Sequence, residues 1–159
     1  MIRWVWWFLM APQAHLLAGL WRDLGLPGFD MGVVWCLFLA FFAQRTATPW
    51  LLLGAALSRA LVDESSLPVQ ALVLGIPVAV LLPLRTFFFG QRWLWLTLAA
   101  AGCAVALPRL SAWFGAWFAQ PSASAQTDVA TVVWTAALAA PLLALLRRLP
   151  PCRGFEDAT

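Results

Sequence analysis

Six runs of apolar residues, each closed by a short polar or proline-bearing turn, leave this chain almost no surface that water could wet. The runs cover residues 2–21, 29–43, 49–62, 66–89, 93–107 and 129–146. A soluble domain carries roughly 25% charged residues. Here 11% are charged and 63% hydrophobic, so lipid is the natural solvent. The pattern predicts an all-α polytopic membrane protein, a compact bundle of about six short transmembrane helices. It forms one domain over residues 1–149, with a polar cytoplasmic tail at 150–159. Residues 1–11 alone have the look of a signal segment, but the apolar character resumes repeatedly as far as Leu149.

Each break has its own chemistry. Pro12, with Gln13 and His15 beside it, interrupts the first run, which stays helical only with a kink because proline lacks an N–H and crowds the preceding turn. Thr48 reads as an N-cap with Pro49 in the first helical position, and Ser66 reads as a cap with Pro68 in the first turn. Pro77 and Pro83 kink the fourth run, and residues 90–92 hinge it to the fifth. After Pro108, Leu110, Trp113, Phe114, Trp117 and Phe118 share one helical face. That spacing predicts a separate amphipathic helix over about 110–118 at the membrane interface; the alternative is a fifth helix continuing past a proline kink. Residues 120–128, rich in serine, alanine and glutamine, read as a flexible loop. Several runs have only 14 or 15 residues, where a typical bilayer needs ~20. Trp50, Trp93 and Trp95 near the run ends, together with arginines, extend their reach.

Orientation follows from the ten arginines, since short arginine-rich loops stay in the cytoplasm. An inside N-terminus puts Arg3, Arg45, Arg85, Arg92, Arg147, Arg148 and Arg153 in the cytoplasm and leaves only Arg22, Arg59 and Arg109 for the other face. Asp23, Asp30, Asp63, Glu64 and Asp128 then lie outside. Both distributions require an even number of spans, with both termini cytoplasmic.

The arginines lie singly between apolar runs, which argues against a nucleic-acid surface despite a pI near 9.3. Cys36, Cys103 and Cys152 have no metal-ligand or disulfide spacing. His15 is the sole histidine and reads as a packing group, and the adjacent Asp63 and Glu64 would point about 100° apart on a helix, as a solvated turn. No acid pair, nucleophile with base, or metal motif is present, so neither an enzyme nor a cofactor protein is expected. The candidate functional residues instead suit helix packing or a partner interface. Arg59 sits inside the third run at i, i+4 from Asp63, placed either to pair with it or to snorkel to headgroups. Gly54 and Ser58 have the small-xxx-small spacing that permits close, lipid-facing helix approach. Among eleven tryptophans, Trp4, Trp6 and Trp7 crowd the start, and Trp113 and Trp117 share a face. These anchor the chain in the bilayer or pack against another membrane subunit.

The order of these features resembles the rod shape-determining protein MreD family. The resemblance rests on Gly28-Phe29-Asp30 before the second run, Ala43-Gln44-Arg45 after it, Gly54 in the third, and Asp63-Glu64-Ser65-Ser66-Leu67-Pro68 leading into the fourth. The chain departs from the family pattern at Ser58, where glycine is usual, at Asp63, displaced by about one position, and at Val69-Gln70. The resemblance implies a six-helix fold similar to the substrate-binding subunits of energy-coupling-factor transporters. It also implies a non-catalytic scaffold role in the cell-elongation and peptidoglycan-synthesis machinery. An MreC-like periplasmic scaffold, the actin-like MreB, a glycan polymerase and a class B penicillin-binding protein are the implied partners. Two other classes stay open: a small-molecule-binding or transport subunit, drawing its polar pocket from Arg59, Gln70 and Gln13, and an accessory subunit of a photosynthetic or respiratory complex.

Overall fold

A helix that is apolar on every side has no face to offer water and is enclosed on every side in a folded bundle. The segment MGVVWCLFLAF, Met31–Phe41, is such a helix (α2), and ten of its eleven residues are buried. Around it pack α1 (Ile2–Asp23), α3 (Thr48–Val62), α4 (Leu67–Leu81), α5 (Arg92–Trp117) and α6 (Val129–Arg148), with a 3-10 turn at Pro83–Thr86 following α4. The computed structural model describes residues 2–25, 28–63, 65–86, 92–120 and 128–149, together with Cys152 and Phe155. All regular structure among them is helical.

Three stretches are long and apolar enough to cross a membrane: Leu67–Arg85, Trp93–Trp117 and Val129–Arg148. The other two apolar helices are shorter. At 1.5 Å per residue α2 is about 17 Å long and α3 about 22 Å, against a hydrocarbon core of roughly 30 Å. Consecutive helices pack in the series α2 with α3, α3 with α4, α4 with α5 and α5 with α6, and α1 lies mainly along α3.

Two side chains of α1, Trp7 and Ala11, are fully buried in the core, and Trp4, Met10, Ala14 and Ala18 pack against it. Trp7 is fully buried, its ring edge-on to Trp35 at 4.7 Å and stacked on Phe38 at 5.8 Å. Gly54 of α3 leaves room for it, since a Cβ there would lie 2.7 Å from Trp7 Nε1. The small pair Gly54 and Ser58 is therefore buried inside the chain and not lipid-facing. The aromatic group at the start of α1 divides likewise: Trp6 is exposed, whereas Trp7 belongs to the core.

At the end of the bundle where α2 terminates, three groups hold the turn that follows it. Arg85 Nη1 donates to the Ala43 carbonyl at 3.1 Å, the Arg147 guanidinium lies 4.5 Å over the Phe42 ring, and the Gln44 N–H donates to the Phe155 carbonyl at 2.8 Å. Cations suit this position because the helix C-terminus carries partial negative charge. The expected polar tail is not wholly solvated: Cys152 and Phe155 are buried, with the Phe155 ring 4.4 Å from Trp4, because an aromatic ring gains more by covering indole than by facing water.

Two further expectations are corrected. Residues 110–117 continue α5 through Pro108 and form no separate helix: the proline removes one rung, and the rungs on either side persist. Thr48 is the first residue of α3 and not its cap; its hydroxyl donates back to the Gln44 carbonyl at 2.9 Å. Positions 90 and 91 of the hinge, residues 121–127 of the loop, and Glu64 lie outside the described residues.

α5 ends on a left-handed residue. Ala119 has φ 51°, and the Gln120 N–H donates to the Gly115 carbonyl at 2.9 Å, a glycine-type terminus built with alanine. Ala119→Gly relieves the Cβ conflict and is expected to stabilise the protein by about 0.5–1 kcal/mol, read as a higher melting temperature in detergent. An unchanged or lower melting temperature would count against this terminus.

Candidate functional site

A second group of polar residues meets at the opposite end, where α2 begins. Asp30 caps α2: its Oδ1 accepts from the Gly32 N–H at 2.8 Å, and its own N–H donates to Thr135 Oγ1 of α6 at 3.0 Å. An acid at this position is expected before an apolar run, because its carboxylate satisfies one of the free N–H groups of the first turn.

Arg59, on the last turn of α3, reaches the same place. Its Nε donates to Asp63 Oδ2 at 2.9 Å, and its Nη2 lies 3.6 Å from Asp30 Oδ2. The Arg59 side chain is 10% exposed, that of Asp30 22% and that of Asp63 44%. The buried cation is thus held between one partly buried and one more open carboxylate. Gly32 is part of the arrangement, because a Cβ there would come within 2.7 Å of Arg59 Nη1. His15 of α1 is buried and lies within electrostatic reach of Asp30, Arg59 and Asp63.

A hydrogen-bonded group adjoins this ion bridge through the short turn after α3. Gln120, just past α5, accepts the Ser66 N–H at 2.9 Å through Oε1 and donates to Ser66 Oγ at 2.7 Å. Gln70 of α4 is fully buried and donates to Ser65 Oγ. Of the five buried side-chain polar atoms with no hydrogen-bond partner among the described residues, three belong to this layer, His15 Nε2, Arg59 Nη1 and Gln70 Oε1, and two are the indole nitrogens of Trp7 and Trp35. These bonds tie α2, α3 and α6 to one another and α4 and the end of α5 to the turn after α3, with His15 of α1 buried beside them. Chemically the layer is a clamp: one guanidinium joins α2 to α3, the Thr135 hydroxyl joins α6 to the α2 cap, and the Gln70 and Gln120 amides join α4 and the end of α5 to the turn after α3.

Of the residues singled out from sequence, Arg59 and Asp63 come together here as an ion pair. Gly54 lies away from them against Trp7 and Phe8, and Ser58 is buried with its hydroxyl donating to the Ala55 carbonyl at 2.8 Å. Trp113 and Trp117 lie on the outside of α5 with ring centroids 5.0 Å apart. Gln70 joins the layer, whereas Gln13 faces outward. Asp30 as a partner of Arg59, and with it Gly32 and Thr135, is not legible in the sequence. An acid ahead of an apolar run is a visible signal, but nothing local links it to an arginine in the next helix. Among the described residues no three His, Cys, Asp or Glu side chains gather as a group able to hold a metal ion. No family model, curated protein or solved structure matches the chain.

Proposed function

We propose that the chain is a non-catalytic integral membrane scaffold subunit of the MreD type. On this reading it sits in the bacterial inner membrane with both termini cytoplasmic. It serves the cell-elongation and peptidoglycan-synthesis machinery by association with an MreC-like scaffold, a glycan polymerase and a class B penicillin-binding protein. The observation that carries the reading is the use of the interior. α2 is enclosed by the chain's own helices and the buried arginine is neutralised by the chain's own acids, while large apolar side chains along α1, α5 and α6 face outward. Such a molecule acts through its outer surfaces.

The test is purification of the full chain from its native membranes in mild detergent, with quantification of co-eluting elongation proteins, and depletion of the chain in cells. Stoichiometric co-elution and loss of rod shape are expected. A purified chain that turns over a substrate unaided would overturn the reading. The topology is open to cysteine labelling against little background, because all three native cysteines are buried. Ser65→Cys should react with an impermeant maleimide from outside only, and labelling from the cytoplasm would reverse the orientation.

A second reading, a small-molecule-binding subunit of similar fold, draws on the unpartnered buried atoms of His15, Arg59 and Gln70. A stoichiometric ligand seen by native mass spectrometry, and lost in Gln70→Leu, would decide for it.

A further inference from the structure

The outer face of α5 is built unlike a surface meant for lipid alone. Leu98, Gly102, Ala106, Arg109, Trp113 and Ala116 follow one another at intervals of four, four, three, four and three residues, which places them in a single stripe along the helix. All are exposed except Ala106, which is half-buried. Gly102 and Ala106 have the four-residue spacing of small side chains that lets a second helix come close. A Cβ added at Gly102 would meet nothing within 4 Å, so the backbone is open to such an approach midway along the stripe.

Arg109 lies within this face, in the stretch Trp93–Trp117 that is long and apolar enough to cross a membrane. It is eight residues, about 12 Å, from the Trp117 end and about 24 Å from Trp93. Helical side chains leave the backbone tilted toward the N-terminus. The Cα–Cβ bond of Arg109 is therefore directed away from the nearer membrane face, against the direction in which snorkelling would carry the guanidinium. A cation held at that depth calls for an anionic counterpart. Among the described residues the chain's own acids do not supply one. Asp30 and Asp63 are engaged with Arg59, Asp128 caps α6, and Asp23 stands at the very end of α1.

The geometry points to this stripe as the docking face for a membrane-spanning helix of a different protein. That helix packs against Gly102 and Ala106 and presents an aspartate or glutamate to Arg109, beside the Trp113 ring. The inference rests on the scaffold reading and names the chemistry of the partner that reading requires.

The test uses the full chain in its native membranes, with a photo-crosslinking amino acid in place of Ala106. Adducts are expected on a transmembrane segment of another chain, mapped by mass spectrometry to within about two helical turns of an acidic residue. Arg109→Glu should lower the adduct yield by about tenfold or more, and exchanging the mapped acid for arginine should restore it. Gly102→Ile should lower it through close-packing alone. Both substitutions lie on the open face, so unchanged melting temperatures check that the bundle is intact. Adducts to lipid only, adducts to a second copy of this chain, or a yield indifferent to Arg109→Glu would each overturn the proposal. Co-elution of elongation proteins that survives alongside such a result would leave the scaffold reading standing on another face; absence of any co-eluting protein would remove that reading itself.

Discussion

Gly54→Leu is expected to abolish folding of the bundle, and Gly54→Ala to destabilise it by about 1–3 kcal/mol, the usual consequence of overfilling a packed core. The reason is the 2.7 Å approach that any Cβ at this position makes to Trp7 Nε1, with Phe8 at 3.0 Å. The Trp7 indole is held by Trp35, Phe38 and Phe155, so it has no free direction in which to retreat. Trp7→Phe in the alanine variant removes the atom in conflict and is expected to recover part of the loss. Denaturation of the four proteins in mixed micelles gives the coupling directly. Independent, additive effects would mean that the two helices do not meet as described.

Asp30→Ala is expected to cost about 3 kcal/mol or more, because it strips a buried guanidinium of one carboxylate and removes the α2 cap at the same time. Asp63→Ala should cost less, about 1 kcal/mol, since its carboxylate is 44% exposed and screened by solvent. Reversing the pair, with Arg59→Asp and Asp63→Arg together, is not expected to restore stability, for Asp30 would then face a second carboxylate across α2 and α3. Neutralising the whole bridge with Arg59→Leu, Asp30→Asn and Asp63→Asn is expected to cost less than the sum of the three single changes. The same micelle denaturation measures it. Strict additivity would show that the charges do not interact.

Helix positions were readable because proline and polar turns punctuate apolar runs, and the boundaries at 49–62 and 129–146 fall within two residues of α3 and α6. The Arg59–Asp63 pair was readable because both lie on one helix at a fixed spacing. What the sequence concealed are meetings between distant segments. Asp30 with Arg59, Asp30 with Thr135 and Gln120 with Ser66 depend on how helices pack, and no local pattern encodes that. Trp7 and Trp6 are adjacent and identical in chemistry, yet one is core and the other outer surface. The near absence of polar positions in the run removed the alternation that would have told them apart. The break expected at Pro108 failed because a single missing hydrogen bond does not end a helix whose remaining turns are intact.

The enclosure of α2 carries a consequence for the order in which the chain is made. α2 leaves the ribosome before four of the five helices that surround it, and at 11 residues it is too short to settle across a bilayer by its own hydrophobicity. The backbone N–H of its capping residue, Asp30, donates to Thr135, 105 residues later in the chain. Until α6 has been synthesised, α2 lacks its last neighbour, so an early-made part of the core is among the last to reach its native surroundings. A nascent chain halted before residue 129 therefore leaves the α6 side of its most apolar helix uncovered and its Asp30 N–H without Thr135.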